Sequence, residues 1–272
     1  MAFKSYVSHL ECTGCSTAYS ADQIHSTCPA CNKVLYARYD LDRIRTVLSP
    51  DKLGSRRSDL WRFFELLPLR DSDKIITLGE GITPMYRASR LEQALNVKTL
   101  YLKDEGVNPT GSFKARGMAV AVSKAAELGI SRFVVPSAGN AGGAMAAYCA
   151  RSGLEAHVYM PQDTPIANKK EADIMAAYLT LVDGLITDAG KVARTHAAER
   201  GLFDLSTMRE PYRVEGKKTM GYEIAMDLNW KLPEVIVYPT GGGTGIVGIW
   251  KAFEEMETLG WIGSDRPRMI AI

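Results

Sequence analysis

The sequence has little net charge, no long apolar run and few cysteines. Lys and Arg number 33 against 31 Asp and Glu, a net charge of +2, so electrostatics make no case for nucleic acid as a partner. No apolar run reaches the roughly 18 residues that a membrane-spanning helix needs, and residues 1–6 lack the apolar stretch of a signal peptide. A chain with no membrane partner, read as cytoplasmic, is expected. Internal repeats and low-complexity tracts are also absent. What is present is ordinary for a globular protein: 272 residues, 46% hydrophobic and 24% charged. That suffices for one large or two modest domains around a sizeable core.

Four of the five cysteines form two Cys-x-x-Cys pairs, Cys12/Cys15 and Cys28/Cys31, and Cys149 stands alone. Two such knuckles can hold a zinc ion tetrahedrally with no open position, which is a structural role. Disulfides and redox-active thiols are the rivals, and His25 is a spare ligand candidate. Residues 1–40 are therefore read as a zinc ribbon. Residues 41–74 read as a helical linker, in which Leu60, Trp61, Phe63, Phe64 and Leu67 have roughly helical spacing before Pro68. Cys149, on an Ala-rich helix, and His157, in a strand pattern, read as packed core residues.

From Ile75 onward short apolar runs alternate with longer amphipathic ones. Strands are expected at 99–103, 132–136, 156–160, 179–183, 234–238 and 268–272. Helices are expected at 114–128, 141–151, 166–176, 187–200, 216–229 and 245–258. This alternation implies βαβ units and a mostly parallel sheet covered on both faces. The run Val235-Ile236-Val237-Tyr238 fits a doubly covered strand. Residues 268–272 read as a strand just begun, and a truncated chain is the expectation, with a short terminal strand as the alternative.

Three strand-to-helix turns carry the chemistry. In Asn108-Pro109-Thr110-Gly111-Ser112-Phe113-Lys114, Asn-Pro starts a turn and Ser112 is a good helix cap. Lys114 then sits in the first helical turn, where the positive helix end lowers its pKa and favours the free amine that Schiff-base chemistry needs. Alone, such a lysine would ordinarily be a solvated surface residue. The second turn, Ser137-Ala138-Gly139-Asn140-Ala141, offers helix-start amides for a carboxylate and an Asn140 side chain for a ring hydroxyl. The third, Gly241-Gly242-Gly243-Thr244-Gly245, is a phosphate cradle ahead of an apolar helix. The last two could also be ordinary glycine-rich turns. The third is neither a nucleotide P-loop nor a dinucleotide fingerprint. At one sheet edge, a lysine, an asparagine and a phosphate cradle together describe a pyridoxal 5'-phosphate (PLP) site.

Ser112-Phe113-Lys114-x-Arg-Gly, Ser137-x-Gly-Asn140 and the glycine loop resemble the fold-type II (tryptophan synthase β-like) PLP enzymes. Within these, Leu78-Gly79-Glu80-Gly81-Ile82-Thr83-Pro84 and Arg213-Val214-Glu215-Gly216-Lys217-Lys218-Thr219 are most similar to the threonine synthases, some of which carry a four-cysteine ribbon. The resemblance covers residues 75–272. It implies two three-layer α/β/α domains after the ribbon: a large PLP-binding domain from 75–118 and 205–272, and a small inserted α/β domain from 119–204. It implies that Lys114 binds the cofactor and shuttles protons, and that Asn140 bonds the cofactor's 3'-oxygen. Gly241, Gly242, Gly243, Thr244 and Gly245 would hold the cofactor phosphate. Ser137, Ala138, Gly139 and Ala141 would take the substrate carboxylate, and Ser206, Thr207, Arg213 and Lys218 are candidates for the substrate phosphate. Arg213 or Lys218 could equally form a surface or interdomain ion pair.

The implied reaction is that of a carbon–oxygen lyase converting O-phosphohomoserine and water to threonine and phosphate, in amino-acid biosynthesis. The implied partners are this small amino-acid phosphate and a second copy in a homodimer. Three alternatives stand beside it: a threonine or serine dehydratase, a phosphoserine-using synthase, and a non-catalytic chain. The carboxylate loop has alanine where many family members have threonine beside Gly-Asn. No residue here fills the family's Ser or Thr facing the pyridine nitrogen.

Overall fold

A computed structural model describes residues 4–272. Strands β1 (Val7–Cys12), β2 (Ala18–Ser20) and β3 (Leu35–Tyr39) form an antiparallel sheet in the order β2-β1-β3. Val7, Leu10, Cys12, Leu35 and Ala37 turn its apolar face onto the body of the protein, the period-two pattern of a half-buried sheet. Helix α1 (Leu41–Val47) starts at Asp40, whose carboxylate accepts from Arg43 N, and α2 (Pro50–Leu53) follows with proline in its first turn. The helical spacing expected around Leu60–Leu67 is realised as a wholly buried 3-10 segment, Leu60–Leu66, with a kink at Phe63.

Strand β4 (Met85–Arg87), helix α3 (Ser89–Leu95) and strand β5 (Tyr101–Lys103) come next, and β4 pairs antiparallel with β5. Then the chain alternates. Helix α4 (Lys114–Glu127) leads to β6 (Arg132–Pro136), α5 (Asn140–Ser152), β7 (Glu155–Pro161), α6 (Ile166–Ile174), β8 (Tyr178–Val182), α7 (Ile186–Arg200) and β9 (Phe203–Asp204). Its four strands make one parallel sheet in the order β8-β7-β6-β9. The sheet thus lies within residues 132–204. The expected division between residues 118 and 119 falls inside the unbroken α4.

Helix α8 (Tyr212–Asp227), strand β10 (Val235–Tyr238), helix α9 (Thr244–Thr258) and strand β11 (Arg268–Ala271) complete the chain, with β10 and β11 parallel. Strand β10 is not covered on both faces as its apolar run suggested. Val235 is 43% and Val237 56% exposed, and among the described residues β10 pairs with β11 alone.

Two helices fix the site. Every residue of α8 from Tyr212 to Ala225 is buried, so this helix has no solvent face. It meets α4 backbone to backbone. A Cβ at Gly216 would stand 2.0 Å from the Arg116 carbonyl oxygen, and one at Gly117 3.1 Å from that of Arg213. Glycine at both positions lets the N-terminal turns of the two helices converge.

Candidate functional site

Lys114 is the first residue of α4, and its backbone N–H donates to Ser112 Oγ at 3.3 Å. Its half-buried Nζ lies 3.5 Å from the centre of the Phe113 ring. Burial, then the nearby Arg213 cation, push this amine down to about 8. The direction is the one expected from the sequence, but desolvation leads and a second cation adds to it.

Arg213 and Lys217 stand four residues apart on α8, hence on one face, and each is 2% exposed. Arg213 Nη1 donates to the Leu205 carbonyl at 2.5 Å, while its Nε is buried without a hydrogen-bond partner. Lys217 Nζ donates to Thr244 Oγ1 at 2.5 Å and lies 4.8 Å from the Phe113 ring. With Lys114, these two cations line a pocket walled by Thr207, Tyr238 and the Gly241–Gly245 loop.

The loop is built for close approach. Gly243 is left-handed (φ +82) and caps α9. A Cβ at Gly245 would lie 1.9 Å from Tyr238 Oη, and one at Gly242 2.2 Å from the Thr207 methyl. The loop therefore presents backbone to the pocket at the N-terminus of α9, where an anion is favoured.

Among the described residues, none of Lys114, Arg213 and Lys217 forms an ion pair. The buried Arg116, Lys124, Lys218 and Lys251 all do. Ring contacts worth about 1 kcal/mol do not offset the several kcal/mol per ion of an unpaired burial. Burial, then Arg213 and Lys114, accordingly hold the Lys217 amine well below its ordinary range. Glu210 is the nearest counter-charge. It is 1% exposed, accepts from Tyr212 N (2.6 Å) and Arg213 N (3.1 Å), and burial pushes its carboxyl up to about 7 against the pull of Arg213. An amide cradle, three unpaired cations and an orphaned guanidinium nitrogen suit a phosphate ester, and the PLP phosphate is one.

The other expected residues fall into two groups. Thr207 lines the pocket with Arg213 and the glycine loop. Ser206 donates to Asp204 at 2.5 Å and shapes its own turn. Ser137 is likewise engaged locally. Its hydroxyl donates to the Gly139 carbonyl (2.9 Å) and accepts from Gly139 N and Gly142 N, so it orders the Ala138–Ala141 turn. Asn140 is exposed at the start of α5 and is not a wall of the pocket beside Lys114.

Lys218 takes the ion-pair alternative of its sequence reading. Its amine points away from the pocket into a buried tetrad, bonded to Glu215 at 2.6 Å and Glu255 at 3.0 Å with Lys251 alongside. One residue along a helix is a rotation of about 100°, and Lys217 takes the pocket position instead. The sequence reading missed Lys217, Phe113, Tyr238 and Glu210. The four-residue step from Arg213 was the signal that could have found Lys217.

A second centre lies in the ribbon. The sulfurs of Cys12, Cys15, Cys28 and Cys31 all lie within 4.8 Å of one another, with no disulfide. Cys12–Cys31, Cys15–Cys31 and Cys15–Cys28 are 3.3, 3.6 and 3.7 Å apart. Four thiolates at zinc bond lengths would be about 3.8 Å apart. Gly14 N and Cys15 N donate to Cys12 Sγ, and left-handed Ser16 and Asn32 close the two knuckles alike. The cluster fits one four-coordinate metal. Cys149 is a buried free thiol on α5, pushed up to about 12 by burial.

The pyridoxal-phosphate dependent enzyme family model matches residues 76–272. The chain belongs to that family. It is 40% identical over 262 residues to a threonine synthase of Methanocaldococcus jannaschii and 37% identical over 265 residues to one of Methanosarcina acetivorans. Those matches cover 96% and 97% of this chain, which spans 64% of the length of each relative. Among solved structures, an O-ureido-L-serine synthase superposes on 73% of this chain and 61% of its own with TM-score 0.62 at 23% identity. The processed form of a threonine deaminase from Solanum lycopersicum superposes on 70% of this chain and 50% of its own with TM-score 0.60, also at 23% identity. Both are likenesses of fold. The α/β fold with a mostly parallel sheet is thus that of fold-type II PLP enzymes. Among the described residues, no helix is long and apolar enough to cross a membrane.

Proposed function

We propose that this chain carries the cofactor and substrate site of a cytoplasmic threonine synthase, a PLP-dependent lyase that turns O-phosphohomoserine and water into threonine and phosphate. The observation that carries the reading is the set of unpaired cations, Lys114, Arg213 and Lys217, around the glycine cradle. The glycine amides already serve one phosphate, that of the cofactor, and basic side chains beyond them favour a second, that of the substrate. The similarity to two threonine synthases supports the same reading.

In this reading the Gly241–Gly245 amides and Thr244 hold the cofactor phosphate. Lys114 is the cofactor-binding lysine, and Asn140 lies on the ring's 3'-oxygen side. Bound PLP supplies an electron sink that makes the substrate's Cα proton removable. Once the substrate amine has replaced it on the cofactor, the freed Lys114 Nζ, whose amine its surroundings lower to about 8, would take that proton and return protons later. The Ala138–Ala141 turn, stiffened by Ser137, binds the substrate carboxylate through its amides. Arg213 and Thr207 hold the leaving phosphate. The large domain would comprise 75–118 and 205–272 and the small one 119–204, with the ribbon (1–40) holding one structural zinc. A homodimer is the proposed assembly.

The test is turnover by the purified chain supplied with PLP. Phosphate release from O-phosphohomoserine with formation of threonine is expected, and Lys114→Ala should abolish it together with the visible absorbance of lysine-bound cofactor. Ammonia release from threonine or serine without phosphate release would favour a dehydratase. Cofactor binding without any turnover would favour a binding role.

A further inference from the structure

The residue that the sequence reading passed over is the one with the least ordinary surroundings. Lys217 is nearly wholly buried, carries no ion pair among the described residues, and reaches the first residue of α9 through Thr244 Oγ1 at 2.5 Å. Thr244 directly follows the three glycines, so the amine sits at the lip of the amide cradle. The groups facing Lys217 are Arg213 and Glu210 at the start of α8, Lys114 and Phe113 at the start of α4, and Thr244 of α9. Glu210 is occupied in capping α8. Two cations thus face the amine, and one carboxyl, pushed up to about 7 by burial, opposes them.

We propose that Lys217 is a phosphate-binding residue of this pocket that takes up a proton from solvent when a phosphate monoester dianion enters. The inference rests on the reading of the glycine loop as a phosphate cradle and adds a second duty to it. Without an anion, burial and the Arg213 and Lys114 charges favour the neutral amine, which donates a hydrogen to Thr244. A dianion reverses the sign of the local field, so the ammonium form becomes stable and bonds the phosphate. The pocket is then selective for doubly charged phosphate esters over carboxylates, because only they return enough negative charge to protonate the third cation. The phosphate could belong to the cofactor or to the substrate.

Titration calorimetry of the 272-residue chain with inorganic phosphate at pH 8, in two buffers of different ionisation enthalpy, tests this. The wild type should bind phosphate with net proton uptake. Lys217→Met should bind it roughly tenfold to a hundredfold more weakly, with the proton uptake cut to the share that Lys114, half protonated at this pH, takes up, and Lys217→Arg should show the same reduced uptake without the loss of affinity. Because Met is of similar length and replaces a buried neutral amine that makes one hydrogen bond, to Thr244, Lys217→Met should melt within a few degrees of the wild type in phosphate-free buffer, so weak binding could not be ascribed to misfolding. Uptake that persists in PLP-loaded chain assigns the duty to the substrate phosphate, and uptake that PLP abolishes assigns it to the cofactor phosphate. Unaltered phosphate binding and proton uptake in Lys217→Met would overturn the role of Lys217 alone. A wild type that binds no phosphate would overturn the cradle reading as well.

Discussion

Arg116 and Glu223 form a bidentate pair with no exposure to solvent on either side chain, at 2.5 and 2.7 Å. Arg116 also bonds Glu105 and the hydroxyls of Thr83 and Thr219. Two residues from Lys114 on α4 and ten from Arg213 on α8, the pair ties together the helices that carry the site. Glu105 remains for Arg116 and Lys103, at 3.0 Å, for Glu223, so removing one partner leaves a buried charge that is only partly compensated. Glu223→Gln and Arg116→Met should each cost about 3–5 kcal/mol, read as a lower denaturation midpoint in urea. The double variant Arg116→Met/Glu223→Met should recover part of that loss.

The same pair sets an acid limit. Burial raises the Glu223 carboxyl, but the charge and hydrogen bonds of Arg116, with Lys103 and the Ile82 N–H, together outweigh it and hold the group at about 2, below its ordinary 4.5. A carboxylate depressed in the folded state contributes stability above its unfolded pKa and loses it as pH falls through the folded value. Wild-type stability should therefore drop between about pH 4.5 and 2, and stability against pH should be flatter there in the double variant. Equilibrium unfolding at a series of pH values measures both.

Lys114 should react as an amine with a midpoint near pH 8 rather than its ordinary 10.5. The rate at which a small aldehyde reagent modifies it should rise through that midpoint. Arg213→Met should move the midpoint upward while leaving it below 10.5, since burial remains the larger cause. Peptide-level mass spectrometry after reductive trapping follows the residue directly.

The ribbon should hold one zinc per chain. Chelation should lower the melting temperature. Tyr39→Phe should cost about 1.5–3 kcal/mol even with metal bound, because the Tyr39 hydroxyl donates to the wholly buried Glu215 at 2.7 Å. Metal analysis and calorimetric melting check the two statements separately.

How much of this was legible in the sequence depended on whether one face of an element meets water. The apolar runs at 132–136 and 179–183 and the glycine turns mark their strands and helix starts to within a residue or two, since period and turn chemistry are local. The cysteine spacing likewise brings four sulfurs to one point. Helix α8 is different. Buried from Tyr212 to Ala225, it has no solvent face to set its phase, so the sequence did not tell which of Lys217 and Lys218 lines the pocket and which takes the ion pair that was the alternative reading of Lys218. Val235 and Val237 misled for a related reason. Apolar content reports the tendency to be covered, and pairing decides whether a strand is covered.

The tetrad of Glu215, Lys218, Lys251 and Glu255 has one more consequence. Lys251 Nζ also donates to the Ala37 carbonyl of β3 at 2.6 Å, and Tyr39 of the same strand reaches Glu215. Charges so enclosed cannot be separated without solvating each of them. The cysteine module is therefore clamped to the back of the helix whose front faces the glycine-loop pocket, as a buttress rather than a tethered arm.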